Sequence, residues 1–224
     1  WTDPVLRAKE LAKMQANNPE WDFMSRTFLV LALVNRSLEN PDFADRAIPA
    51  IDAIIDETVR LESTKGCEHF LLAYATAREW KDNPHRSLFA EGEIALMTAA
   101  RRMLRHDPGK AAELRRRVDI VATRMAAGPI ANAESYPDEC WLFCNTVALA
   151  AVRLADVLDG TDHSALFASW KENARRTLID PETGLLISAY GWDGTPAACG
   201  ASPEGSSIWM AVHMLQFVDP DFAE

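Results

Sequence analysis

Asparagine or aspartate followed by proline recurs along this chain, at Asn18-Pro19, Asn40-Pro41, Asn83-Pro84, Asp107-Pro108, Asp180-Pro181 and Asp219-Pro220. A side-chain oxygen at the N-cap accepts the first orphan amides of a helix, and proline at the next position has φ already set for one. Most of these dipeptides therefore predict helix starts. Asp180-Pro181 is the exception, because DPETG carries its glycine where a turn needs it, ahead of the β-prone run LLISAY.

The stretches between these marks have helical periods. Phe23, Phe28, Leu29, Leu31, Ala32 and Leu38 share one predicted helix, and Ile48, Ile51, Ile54, Ile55 and Val59 stripe the next at i, i+3, i+4 spacing. Leu88 to Leu104 pairs with Ala111 to Met125, and Cys144 to Leu158 with Ser164 to Leu178. The second helix of each pair is the more charged, as an outer layer requires.

The connectors inside the pairs resemble one another: LENPDFADRA, LRHDPGKAAEL, LDGTDHSALF and the terminal FVDPDFAE. They recur at roughly 55–65 residues, the length of two helices with their loops, which reads as a repeated αα-hairpin. A solenoid and a closed toroid both satisfy that pattern. Irregular inserts at 63–84, 128–139 and 188–203 favour the toroid, whose inner-helix ends and loops line a central cavity. The expected fold class is thus all-α, one domain over residues 1–224, with a short β-like hairpin insert near 185–203. The chain opens on Trp1 and closes on what reads as the first turn of a helix, so we expect a portion of a longer protein. A signal peptide or membrane anchor outside it stays open, as does a periplasmic or cytoplasmic location.

At 224 residues, with 48% hydrophobic and 25% charged residues, the chain can bury a substantial core. A formal net charge of −10 argues against nucleic acid or an anionic membrane surface as partner. The longest apolar run, Phe28 to Val34, is core length. Cys67, Cys140, Cys144 and Cys199 form no CxxC pair and no zinc spacing, so no metal site is expected, and their disulfide status is open.

Chemistry concentrates in ESYPDECWLFCNT, at the mouth of an apolar helix. Cys140 and Cys144 are four apart and share a face if that helix has begun by Asp138. A helix N-terminus lowers a thiol pKa, yet Glu134, Asp138 and Glu139 oppose a thiolate, so acid–base carboxylates are favoured over a cysteine nucleophile; small buried thiols are the alternative. Glu91 and Glu93 flank Gly92 inside SLFAEGEIALMTAA, either as acids facing a polar cavity or as a solvated first turn capped near Asn83 or Ser87. Tyr136, Trp141, Phe143, Tyr190, Trp192 and Trp209 fall near the same inserts, where a ring of aromatics would wrap an apolar ligand or stabilise a carbocation. The chain has no GxSxG, no glycine-rich phosphate loop and no HExxH.

With these residues in view, the chain resembles the linalool dehydratase/isomerase family. The likeness is firmest from Gly128 to Glu224, where CNT, an apolar helix, LDGTD, an aromatic-rich helix and LIDPETG follow one another in the family's order. It is looser from Pro19 to Leu104, through the FAEGE segment. The resemblance implies an (α/α)6-barrel, incomplete in this chain, which would hold about four of the six hairpins. It also implies cofactor-independent addition or removal of water at a tertiary allylic alcohol, and a homo-oligomer with a neighbouring subunit completing the pocket. By position, Cys144 matches the cysteine of the CN motif, while Ser135, Glu93 and Phe89 stand where the family has a second pocket cysteine, a histidine and a methionine. A family tyrosine falls near Gly205, leaving Glu204 as the nearby polar group.

The expected activity is therefore a lyase or isomerase acting on a terpenoid or similar small apolar alcohol or alkene. Glu93 or Asp138 would move the proton, Cys144 and Asn145 would place the hydroxyl, and Tyr136, Trp141, Tyr190 and Trp209 would shape the pocket. Two alternatives remain. A carbohydrate-active toroid would use paired carboxylates in an open, wet groove. A helical-repeat binding module would scatter Glu93, Asp138 and Cys144 over the surface.

Overall fold

The computed structural model describes residues 3–198 and 201–224, and Cys199 lies outside them. The described residues are all-α with one small antiparallel strand pair. Asp3, Asn18, Asp107 and Asp219 each accept a first-turn amide and start α1 (Pro4–Asn17), α2 (Pro19–Glu39), α5 (Pro108–Ala127) and α9 (Pro220–Ala223). Asn40 precedes α3 (Pro41–Lys65) without a side-chain cap. The largely polar α1 is a helix that apolar spacing does not mark.

Asn83-Pro84 starts no helix. Its neighbour Asp82 is held by Arg124 at 2.7 and 2.9 Å, which fixes this stretch as an irregular connector after two short 3₁₀ turns, Cys67–Phe70 and Ala73–Ala77. Ser87 is the N-cap of α4 (Leu88–Leu104). The other helices are α6 (Leu142–Asp159), α7 (Ser164–Thr177) and α8 (Gly205–Val218).

After α1 the helices follow in pairs: α2–α3 and α4–α5 pack as hairpins, α7 follows α6 and lies against α5, and α9 is a single turn on α8. The first helices of the pairs form an inner layer in the sequence α2, α4, α6, α8, each packed on the next, while α3 and α5 lie against the inner pairs they bridge. Sequence explains the division. Inner α4 is buried from Leu88 through Arg102, whereas α7 buries only Leu166, Trp170 and Ala174. The inner helices approach closely because small residues meet: a Cβ at Gly92 of α4 would lie 3.1 Å from the Cβ of Ala148 in α6. The layers are tied by Arg117 of α5, wholly buried, which donates to Glu62 of α3 at 2.5 Å and to Glu91 of α4 at 2.6 Å.

The expected hairpin inside 185–203 takes a different form. β2 (Ala189–Tyr190) pairs with β1 (Cys140–Trp141), fifty residues earlier in the chain, and Tyr190 makes only an isolated bridge to Pro196. The long-range pairing supplies partners for the backbone ahead of α6, where the Leu142 amide donates to Ser188 O at 2.9 Å. The DPETG turn forms as expected: Asp180 Oδ1 accepts the Glu182 and Thr183 amides, and Gly184 takes φ +73°. Among the described residues no helix is long and apolar enough to cross a membrane.

Candidate functional site

A cavity of about 210 Å³ opens where the inner helices begin. Every helical residue lining it belongs to the first two turns of its helix: Glu20 and Met24 of α2, Phe89 of α4, Phe143 and Cys144 of α6, and Ser206, Ser207 and Met210 of α8. Tyr136 and Trp141, from the insert before α6, complete the wall. One carboxylate thus stands among aromatic and thioether surfaces.

Glu20 is bound from across the cavity. The Tyr136 hydroxyl donates to Glu20 Oε1 at 2.5 Å and accepts the Leu72 amide at 2.8 Å, so both its hydrogen-bonding directions are set. Burial raises the Glu20 carboxyl above its ordinary range, against the hydrogen bond from Tyr136. Burial also pushes the Tyr136 phenol far up, with Glu20 adding to it, so its proton stays in place. Tyr74 stacks on Tyr136, centroids 4.8 Å apart and planes 13° apart, and donates to Glu139 Oε1 at 3.1 Å. The same oxygen accepts the Trp141 indole N–H at 2.5 Å. These contacts fix two walls of the cavity through one carboxylate outside it.

One helical turn past Phe89 lies Glu93, only 1% exposed. Its Oε2 accepts the Thr27 hydroxyl, and its Oε1 is buried without a partner. Desolvation pushes its pKa up to about 8; the Thr27 bond opposes this and the nearby Glu20 charge adds to it. Glu93 is therefore a carboxylic acid at neutral pH, not a solvated first-turn acid. Glu91 is likewise buried, held by Arg86 and Arg117 at 2.6 Å each. Burial holds the Cys144 thiol well above its ordinary value, so Cys144 is a thiol wall and not a thiolate.

The residues singled out in the sequence divide. Phe89, Tyr136, Trp141 and Cys144 line the cavity, and Glu93 lies behind it. Ser135 is buried beside Cys144, its Oγ accepting the Trp141 amide at 3.2 Å. Asn145 is spent on backbone: Oδ1 accepts the Ala133 amide at 3.2 Å, and Nδ2 donates to Ala133 O and Trp141 O. It clamps the insert and has no amide hydrogen left for a substrate hydroxyl.

Tyr190 is wholly buried in β2, near Cys140 and Cys144, with its hydroxyl unpartnered, and does not line the cavity. Trp209 is 68% exposed, edge-on to His213, and does not line the cavity. Asp138 and Glu204 border a second, polar cavity of about 640 Å³ on the far side of Trp141. Asp138 takes φ +54°, with Glu134 Oε1 accepting its amide at 2.5 Å. Cys140 and Cys144 do not share a helix face, because Cys140 is in β1 and accepts from Asn132 Nδ2 at 3.2 Å.

Glu20, Met24, Tyr74 and the α8 residues were not singled out. Glu20 follows Asn18-Pro19, where a glutamate is explained by the helix dipole alone, so no local signal separates it from a first-turn acid. Among the described residues no three His, Cys, Asp or Glu side chains converge as a metal-ligand set. No protein-family model matches the chain.

Proposed function

We propose that this chain carries the active site of a cofactor-independent lyase or isomerase of the linalool dehydratase/isomerase type, moving a proton and water at a small apolar alcohol or alkene. The observation that carries the reading is the pairing of Glu20 with Tyr136 at 2.5 Å in the wall of a largely apolar cavity whose other polar groups are Cys144, Ser206 and Ser207. In the dehydrating direction Glu20, as the acid, protonates the substrate hydroxyl; the C–O bond breaks and water leaves. The resulting carboxylate then takes a proton from the adjacent carbon as the double bond forms, so the acid is regenerated. Tyr136 orients the carboxyl. Positive charge developing on carbon faces the rings of Phe89, Trp141 and Phe143. The cavity is smaller than the roughly 300–1,000 Å³ of common small-molecule sites, so it suits a short branched skeleton or one end of a longer one.

The test is incubation with short tertiary and monoterpene alcohols and alkenes in deuterated water, read by mass spectrometry. Deuterium incorporation or alcohol–alkene interconversion, lost in Glu20→Gln and Tyr136→Phe, is expected. No exchange with any of them would remove the reading. It would move the function toward the polar cavity, where Asp138, Glu139 and Glu204 lie beside Tyr74 and Trp141 as a sugar-binding cleft would have them.

A further inference from the structure

The cavity's lining has a charge pattern that the lyase reading does not require. Among the described residues its lining includes one carboxylate, Glu20, and no lysine, arginine or histidine. Around that carboxylate stand the rings of Phe89, Tyr136, Trp141 and Phe143 and the thioether of Met24. Aromatic faces carry the negative side of a quadrupole, and a cation over several of them gains most when desolvated.

Two contacts sharpen this. The Trp141 N–H donates to Glu139 at 2.5 Å, which pushes electron density into the indole and strengthens its face. Tyr136 is stacked by Tyr74, which holds the ring in place before any ligand arrives. An opposing field exists, since helix N-termini carry about half a positive charge each. Those of α2 and α4 are capped by Asn18 and Ser87, whereas α6 and α8 begin without a side-chain cap, so their field opposes a cation. Against it stand the Glu20 carboxylate and the four rings of the lining.

We propose that this cavity is a binding site for a small organic cation, a quaternary or protonated alkyl amine, seated between the Glu20 carboxylate and the rings of Phe89, Tyr136, Trp141 and Phe143. The site stands on this geometry whether or not the chain turns over an alcohol. Where it does, the same cage stabilises the cationic transition state, and amines act as its mimics.

The experiment is titration calorimetry of the intact chain with three soluble compounds of similar shape: choline, its uncharged carbon isostere 3,3-dimethylbutan-1-ol, and the anion 3,3-dimethylbutanoate. Choline is expected to bind at least about tenfold tighter than either. Glu20→Gln, with its helical circular dichroism unchanged, is expected to bring choline to the level of the neutral isostere. Equal affinity for choline and the isostere, tighter binding of the anion, or no heat from any of the three would overturn the site. Cation preference without turnover of any alcohol leaves this site standing and removes the lyase reading. Turnover without cation preference does the reverse.

Discussion

Tyr136 and Glu20 are 116 residues apart in the chain and 2.5 Å apart in space, joined by a hydrogen bond across the mouth of the cavity. The pair links the start of α2 to the insert before α6, and its geometry is held from outside by the Leu72 amide. Under the proposed function, Tyr136→Phe removes the orienting donor and Glu20→Gln removes the proton carrier. Each should lower kcat by about 100- to 10,000-fold, the usual worth of a positioned acid or base. A Tyr136→Phe enzyme with unchanged kcat would exclude the phenol from the reaction.

Glu93 makes stability depend on pH with a definite sign. Its folded pKa of about 8 lies above the ordinary 4.5, so the folded chain holds a proton that the unfolded chain has lost between those values. Stability should be greatest below about pH 4.5 as far as this group is concerned, and should fall as pH rises to about 8. Glu20 and Glu134 are shifted in the same sense, so the informative quantity is the difference between wild type and Glu93→Gln. Thermal melts at pH 5 and pH 8.5 should show the variant losing less with rising pH. Parallel curves would mean that Glu93 does not titrate in this window.

Gly92→Ala places a Cβ 3.1 Å from Ala148 Cβ and 3.3 Å from its Cα and amide N, against helix backbone that cannot swing away. The helix-propensity gain of about 1 kcal/mol is outweighed by overpacking of about 1–3 kcal/mol. A net loss of roughly 1 kcal/mol is expected in denaturant titration. The double variant with Ala148→Gly should relieve the crowding of side chains and show non-additive recovery.

Arg117→Met should be among the most damaging single substitutions. The guanidinium is wholly buried and serves Glu62, Glu91 and Glu113 at 2.5–2.7 Å. Its removal leaves Glu91, with only 3% of its side chain exposed, to Arg86 alone. Breaking a buried ion-pair network from one side costs roughly 3–5 kcal/mol. Chemical denaturation measures it, and a loss under 1 kcal/mol would mean that the acids relax into water.

Trp209→Ala and Asp138→Asn serve as the contrast. Trp209 is solvent-exposed, and Asp138 lies across Trp141 from the cavity at a left-handed backbone position that asparagine also adopts readily. Both variants should keep turnover within about twofold, the scale of a surface substitution of under 0.5 kcal/mol. A large loss in Asp138→Asn would bring the polar cavity into the reaction.

Much of the architecture was legible because its signals are local. An Asx-Pro pair caps a helix through amides two or three residues away, as at Asn18 and Asp107, and the isoleucine stripe of α3 records a single buried face. The DPETG turn needs only Asp180 and Gly184. Where a longer-range partner intervenes, local reading stops: Asp82 is claimed by Arg124, so Asn83-Pro84 caps nothing, and Cys140 is drawn into a strand by Tyr190.

The sequence by itself determined the all-α fold with most of its helix caps and the DPETG turn, since periodicity, caps and turns act within a few residues. Only the tertiary structure decided which side chains share a cavity. Stacking α2, α4, α6 and α8 brings together first turns that lie tens of residues apart, which selects Glu20 and Tyr136 and leaves Trp209 in solvent. It also decided protonation: whether a glutamate is a solvated cap or a buried acid depends on what covers it. Glu93 is covered on all sides, while nothing in FAEGE says so.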